Sequence, residues 1–205
     1  MKILIKKWLK RYNIKNYTIN NDYTIDVDED VNLACEGLKE IPSFIQFNII
    51  KGDFHCSFNK LTSLKGCPKK VEGSFNCSSN YLISLEGAPE IVEKSFICDS
   101  NRLKSLEGSP KKVGGSFNCS FNDLTSLKGA PKKLKGGFYC NFNYLTTLEG
   151  APIEIEGSFE CSCNKITTLK GMPKHIGKIF CCRCNDGDIP VNIIKNTYCI
   201  EKIII

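Results

Sequence analysis

The sequence is short of the residues on which most catalysis and most membrane insertion depend. It holds two histidines, His55 and His175, far apart in the chain. No paired-histidine metal motif and no cysteine–histidine nucleophile pair can be read from that placement. Apolar runs stop after a few residues, as at Ile203-Ile204-Ile205, against the ~20 that a membrane-spanning helix requires. The opening MKILIKKWLKRY has basic residues but no long apolar run behind them, so neither a signal peptide nor a membrane span is expected. A strong excess of one charge is also missing. Lys and Arg number 28 against 22 Asp and Glu, a net +6, which tolerates an acidic partner without arguing for nucleic acid. The expected address is the cytoplasm of the producing or host cell.

Cysteine, by contrast, is abundant, with 13 in 205 residues. In a secreted chain that number suggests a disulfide scaffold. The spacing argues otherwise: Cys56, Cys77, Cys98, Cys119, Cys140, Cys161 and Cys182 recur every 21 residues, a regularity no disulfide framework needs. The same period carries Asn59, Asn80, Asn101, Asn122, Asn143, Asn164 and Asn185, and phenylalanine from Phe54 to Phe180. Leu61 to Ile166, Leu64 to Leu169, Gly66 to Gly171 and Pro68 to Pro173 follow in step. A fixed period of this length, kept through seven turns, means a solenoid.

Each rung then reads physically. Phe and Cys, two apart, point to one face of a strand, and only stacking of rungs can bury that face. Asparagine closes the strand, its amide free to bond the backbone of the turn and of the next rung. Gly and Pro punctuate a return path that excludes a helix and is extended or turn-like. Seven rungs at ~4.8 Å each make a stack of roughly 34 Å.

The pattern F-x-C-x-x-N-x-L-x-x-L resembles the leucine-rich repeat, with Phe and Cys in two leucine sites. In its 21-residue form GxFxCSxNxLTSLxGxPKKV it is similar to repeat proteins of tailed phages and some bacteria, and more distantly to the IpaH and YopM effector repeats. The resemblance covers residues 50–185. It implies a leucine-rich-repeat solenoid: a curved parallel β-sheet, one short strand per rung, a non-helical convex side and a short N-terminal helical and β cap. It also implies that a phage or bacterium encodes the chain and directs it at a host protein. No room is left for the ligase domain that follows the IpaH repeats.

The expected organisation is an N-terminal cap over 1–49, seven repeats over 50–185 and a C-terminal cap over 186–205. In the first cap, Ile3, Trp8, Leu9 and Tyr12 share one face of a helix, and LKEIPSFI looks like a degenerate rung. Lys2, Lys6, Lys7, Lys10, Arg11 and Lys15 read as a solvated face, offset by Asp22, Asp26, Asp28, Glu29 and Asp30.

Function is expected on the outward positions of the strand face. The first and third residues after each Phe are taken as outward, which gives Asn76, Asp99, Asn118, Tyr139, Asn141, Glu160 and Arg183 as candidate contacts. Just before the asparagines, Phe58, Phe121 and Phe142 alternate with serine, which a core site would not do, so they are read as at least half exposed. Phe121, Tyr139, Phe142 and Tyr144 are expected to cluster as anchors for a protein partner. The reading is a non-catalytic binding module, without cofactor or metal, a monomer or weakly self-associating, with membrane and nucleic acid set aside. A structural or virion-assembly role is the alternative, and a thiol or metal switch at Cys163, Cys181, Cys184 and Cys199 a third. These four are expected to be reduced thiols.

Overall fold

The structure, a computed structural model, describes residues 1–182 and the backbone of 202–204. Arg183, Cys184, Asn185, Cys199 and nearly all of the expected C-terminal cap lie outside the described residues.

The chain opens with helix α1 (Lys2–Arg11) and an antiparallel hairpin of β1 (Tyr17–Ile19) and β2 (Ile25–Val27). A parallel β-solenoid of 21-residue rungs follows. One sheet begins with β3 (Val31–Asn32), and β5 (Phe54–His55) pairs with it in parallel. It continues through Phe75–Asn76, Phe96–Ile97, Phe117–Asn118, Phe138–Tyr139 and Phe159–Glu160 to Ile179–Cys181 and Lys202–Ile204. Phe stands opposite Phe at each step of the repeats. Each rung thus gives this sheet one short strand.

The return path is extended, as its Gly and Pro require, and also pairs. Hairpin strand β2 leads to β4 (Phe47–Ile50), then to Lys70–Val71, Ile91–Val92 and Lys112–Val113. After a break, Lys133–Leu134, Glu154–Ile155 and His175–Ile176 resume the pairing. At the break two lysine pairs follow each other, Lys111 and Lys112 on one rung and Lys132 and Lys133 on the next.

The core lies between the two faces as columns of like side chains. Phe54 to Phe180, Cys56 to Cys161, both leucine columns up to Leu148 and the Val71 column are buried. Successive Phe rings from Phe54 to Phe138 stack with centroids 5.2–5.6 Å apart. At the N-terminal end Trp8 packs edge-on against Phe47, which meets Phe54, closing the open end of the column. The helix face differs from the expected one: Ile5, Trp8 and Leu9 are buried, while Ile3 is 72% exposed. Ile5 is the residue that completes an i, i+3, i+4 stripe with Trp8 and Leu9.

Gly is required where the return path begins. Gly129 sits at φ +96°, and a Cβ there would lie 2.4 Å from the Leu106 carbonyl of the rung before, a contact no side chain survives.

Candidate functional site

The asparagines are the joints between rungs. The Asn122 Nδ2 donates to the carbonyls of Cys119 and Ser120 in its own rung and of Cys98 in the preceding one. Its Oδ1 accepts the Leu103 amide, also of the preceding rung. Asn59, Asn80, Asn101, Asn143 and Asn164 repeat this pattern. The ladder therefore reaches backward, where the sequence suggested the next rung. Among the described residues every buried side-chain nitrogen and oxygen has a partner, as a stable interior demands.

Cysteine suits its column for a related reason. It is small enough to lie beside Phe, and its thiol donates weakly to the next rung's carbonyl: Cys98 to Asn118, Cys119 to Tyr139, Cys140 to Glu160. Burial pushes the thiols of Cys77, Cys98, Cys119, Cys140 and Cys161 up from the ordinary range, because a thiolate there would be stripped of water.

One residue before each asparagine the backbone turns left-handed, a feature the sequence reading did not recognise. Phe58, Ser79, Ser100, Phe121, Phe142 and Cys163 all have φ between 53° and 56°, a region costly for residues with a Cβ. The turn swings the side chain out of the stack while the amide still bonds the next rung, as Phe121 does to Asn141. Phe58 is 64% exposed, Phe121 52% and Phe142 49%. The rings of Phe121 and Phe142 stack at 4.3 Å. These phenylalanines are thus held in water by backbone geometry, as their alternation with serine suggested.

The residues after the asparagines form a second column, exposed at Lys60, Tyr81, Arg102, Tyr144 and Lys165. Tyr144 carries the Lys165 ammonium over its ring at 5.4 Å, and Tyr81 the Arg102 guanidinium at 4.8 Å. The structure thus stacks Phe121 on Phe142 and leaves Tyr144 exposed two residues further along the same rung. Tyr81 and the 65%-exposed Ile83 are further exposed apolar positions of the rung after Phe58. Sequence reasoning passed over both, though their columns, like the phenylalanine column, mix apolar with charged or hydroxyl residues.

Tyr139 behaves differently. Its hydroxyl lies over Gly137, where a Cβ would come within 2.5 Å of it, and the residue is half-buried. It belongs to the corner between the two faces and not to the phenylalanine stack. The third position after Phe is not uniformly outward either. Ser57, Ser78 and Ser120 are buried, because the chain is already turning toward the left-handed residue.

The polar candidates are partly occupied by the fold. The Oδ1 atoms of Asn76 and Asn118 accept the amides of Ser78 and Ser120. Asn118 also reaches Asp99 at 3.4 Å, and Asn141 donates to Glu160 at 3.2 Å. Arg183 lies outside the described residues. The return-path lysines are paired rung to rung: Lys111 with Glu90, Lys112 with Glu93 and Lys133 with Glu154, all near 2.7–2.8 Å. The acids of the N-terminal cap do not offset α1, in contrast to the expectation. Asp28 pairs with Lys51, Glu29 accepts the Lys15 and Asn16 amides, and Asp26 accepts Asn48 and the Ile49 amide. Hairpin folding consumes them.

His55 stands 3.9 Å from Asp53, and His175 is exposed on another rung. Among the described residues no three His, Cys, Asp or Glu side chains stand together as metal ligands. No helix there is long and apolar enough to cross a membrane. No protein-family model matches the chain, and no curated protein matches it. The fold is a parallel β-solenoid with a 21-residue period and an N-terminal helix as cap, compatible with a repeat of the leucine-rich type.

Proposed function

We propose that the chain is a non-catalytic binding module that takes a protein partner on the aromatic columns flanking the asparagine ladder. The observation that carries this reading is the Phe121–Phe142 stack, two rings kept about half exposed on a rigid scaffold by left-handed backbone. Aromatics so placed lose little entropy on binding and bury much area. Tyr144 and Lys165 extend the surface with a cation–π pair that offers both apolar and charged contact. The resemblance to phage and bacterial repeats favours a phage- or bacterium-encoded chain and a host protein as the target.

The test is capture from a bacterial lysate on the immobilised chain. Changing Phe121 and Phe142 together to serine should cost the captured protein at least ~2 kcal/mol of affinity. Changing Lys111, Lys112, Lys132 and Lys133 to serine should leave capture intact. The reverse result would move the working face to the return path and favour an acidic ligand. A defined homo-oligomer in solution, with no captured protein, would favour the assembly role.

A further inference from the structure

Among the described residues the second sheet has a free edge at the N-terminal end, where β1 pairs on one side only, with β2. The Asn20 amide donates to the Thr24 carbonyl and the Asp28 amide to the Asn16 carbonyl, so even-numbered residues of the strand face β2. In an antiparallel ladder the alternate residues must then turn their amides and carbonyls away. Those residues are Tyr17 and Ile19. Their side chains lie on the core side, half-buried, and form the floor of an open groove between β1 and helix α1.

The groove has two continuous parts. One, of about 370 Å³, is lined by Lys2, Lys6, Tyr17 and Ile19. The other, of about 550 Å³, shares Lys6 and Tyr17 and adds Lys10 and Lys15. None of these four lysines forms an ion pair among the described residues, and the nearby acids are engaged by the hairpin. An uncovered strand edge beside an apolar floor and a wall of ammonium groups held in no ion pair fits one kind of occupant.

We propose that the β1 edge takes an acidic, extended segment of another protein as an added strand. Its main chain would bond Tyr17 and Ile19, and its alternate side chains would enter the groove. Carboxylates there meet Lys2, Lys6, Lys10 and Lys15, while apolar groups cover Tyr17 and Ile19. A second copy of this chain is the wrong occupant, since pairing two β1 edges sets one lysine wall against another. The surface is separate from the aromatic columns and does not depend on them.

The experiment uses the full chain and a fluorescein-labelled peptide of about six residues, an ordinary strand length, with threonine on one face and glutamate in turn with valine on the other, as in Glu-Thr-Val-Thr-Glu-Thr. Anisotropy should report binding that weakens as salt rises. It should fall at least about tenfold when lysine replaces glutamate in the peptide, or in the Lys6→Glu, Lys10→Glu double variant. Two complementary peptides, N-methylated on alternate amides, test strand addition with the protein unaltered. One should lose binding and the other keep it, because only one set of amides can face β1. Equal behaviour of the two methylated peptides, or no preference for glutamate over lysine, overturns the proposal. So does a solution dimer that Ile19→Pro dissociates, which would assign the edge to a second copy.

Discussion

Replacing Asn122 by alanine removes a joint in the middle of the stack. The wild-type amide serves three carbonyls, those of Cys98, Cys119 and Ser120, with contacts of 3.1 Å. Its oxygen accepts the Leu103 amide at 3.0 Å. Leu103 is fully buried, so no water replaces the lost acceptor. One orphaned buried donor costs about 1–3 kcal/mol, and the carbonyls deprived of their donor add about 1 kcal/mol more. The expected loss is therefore about 2–4 kcal/mol. At about 2–4 °C per kcal/mol for a chain of this size, the melting temperature falls by roughly 5–15 °C. Urea unfolding followed by far-UV circular dichroism measures it directly, with an unchanged slope showing that the rungs still unfold together. Asn122→Asp sharpens the test. The carboxylate keeps the acceptor for Leu103 but turns a second oxygen toward three carbonyls, which favours the protonated acid and raises its folded pKa. Stability should then fall as pH rises through the ordinary aspartate value of about 3.9, so Asp is worse than Ala at neutral pH and recovers in acid. An unchanged midpoint in Asn122→Ala, or an aspartate variant indifferent to pH, would refute the claim that these amides hold rungs together.

The buried thiols give a further pH dependence. Their folded pKa values are raised by burial, so stability should be complete below the ordinary thiol value of about 8.5 and decline above it, while the unfolded chain ionises. Native thiol labelling should be rapid at the exposed Cys35 and slow at Cys98, Cys119 and Cys140; fast labelling of those three would contradict the ladder. Ser79→Gly relieves a left-handed residue at φ 53° and should stabilise by about 0.5–1 kcal/mol in the same urea assay. Removing the exposed Lys111–Glu90 pair, with side chains 78% and 62% accessible, should leave the urea midpoint unchanged, and a clear shift would mean the pair is less solvated than its exposure indicates.

The period alone determined that this chain is a solenoid. Any rung that puts Phe, Cys, Leu and Leu at fixed intervals exposes an apolar face that only a second rung can cover, so repetition at 21 residues leaves stacking as the outcome. The exposure of Phe58, Phe121 and Phe142 was legible for a similar reason: their column alternates with serine, which an interior site does not tolerate. Other features needed the third dimension. The left-handed turn that holds those rings in water is a backbone state, and no residue type at the site announces it, since Phe, Ser and Cys all occupy it. That the asparagines bond backward depends on the offset between strand and turn. The half-burial of Tyr139 follows from a glycine two residues earlier, which leaves its hydroxyl room to fold over the corner. Finally, the helix lysines and hairpin acids balance as letters. Only the fold decides that the acids are spent on backbone amides and Lys51, leaving Lys2, Lys6, Lys10 and Lys15 unpaired beside an open strand.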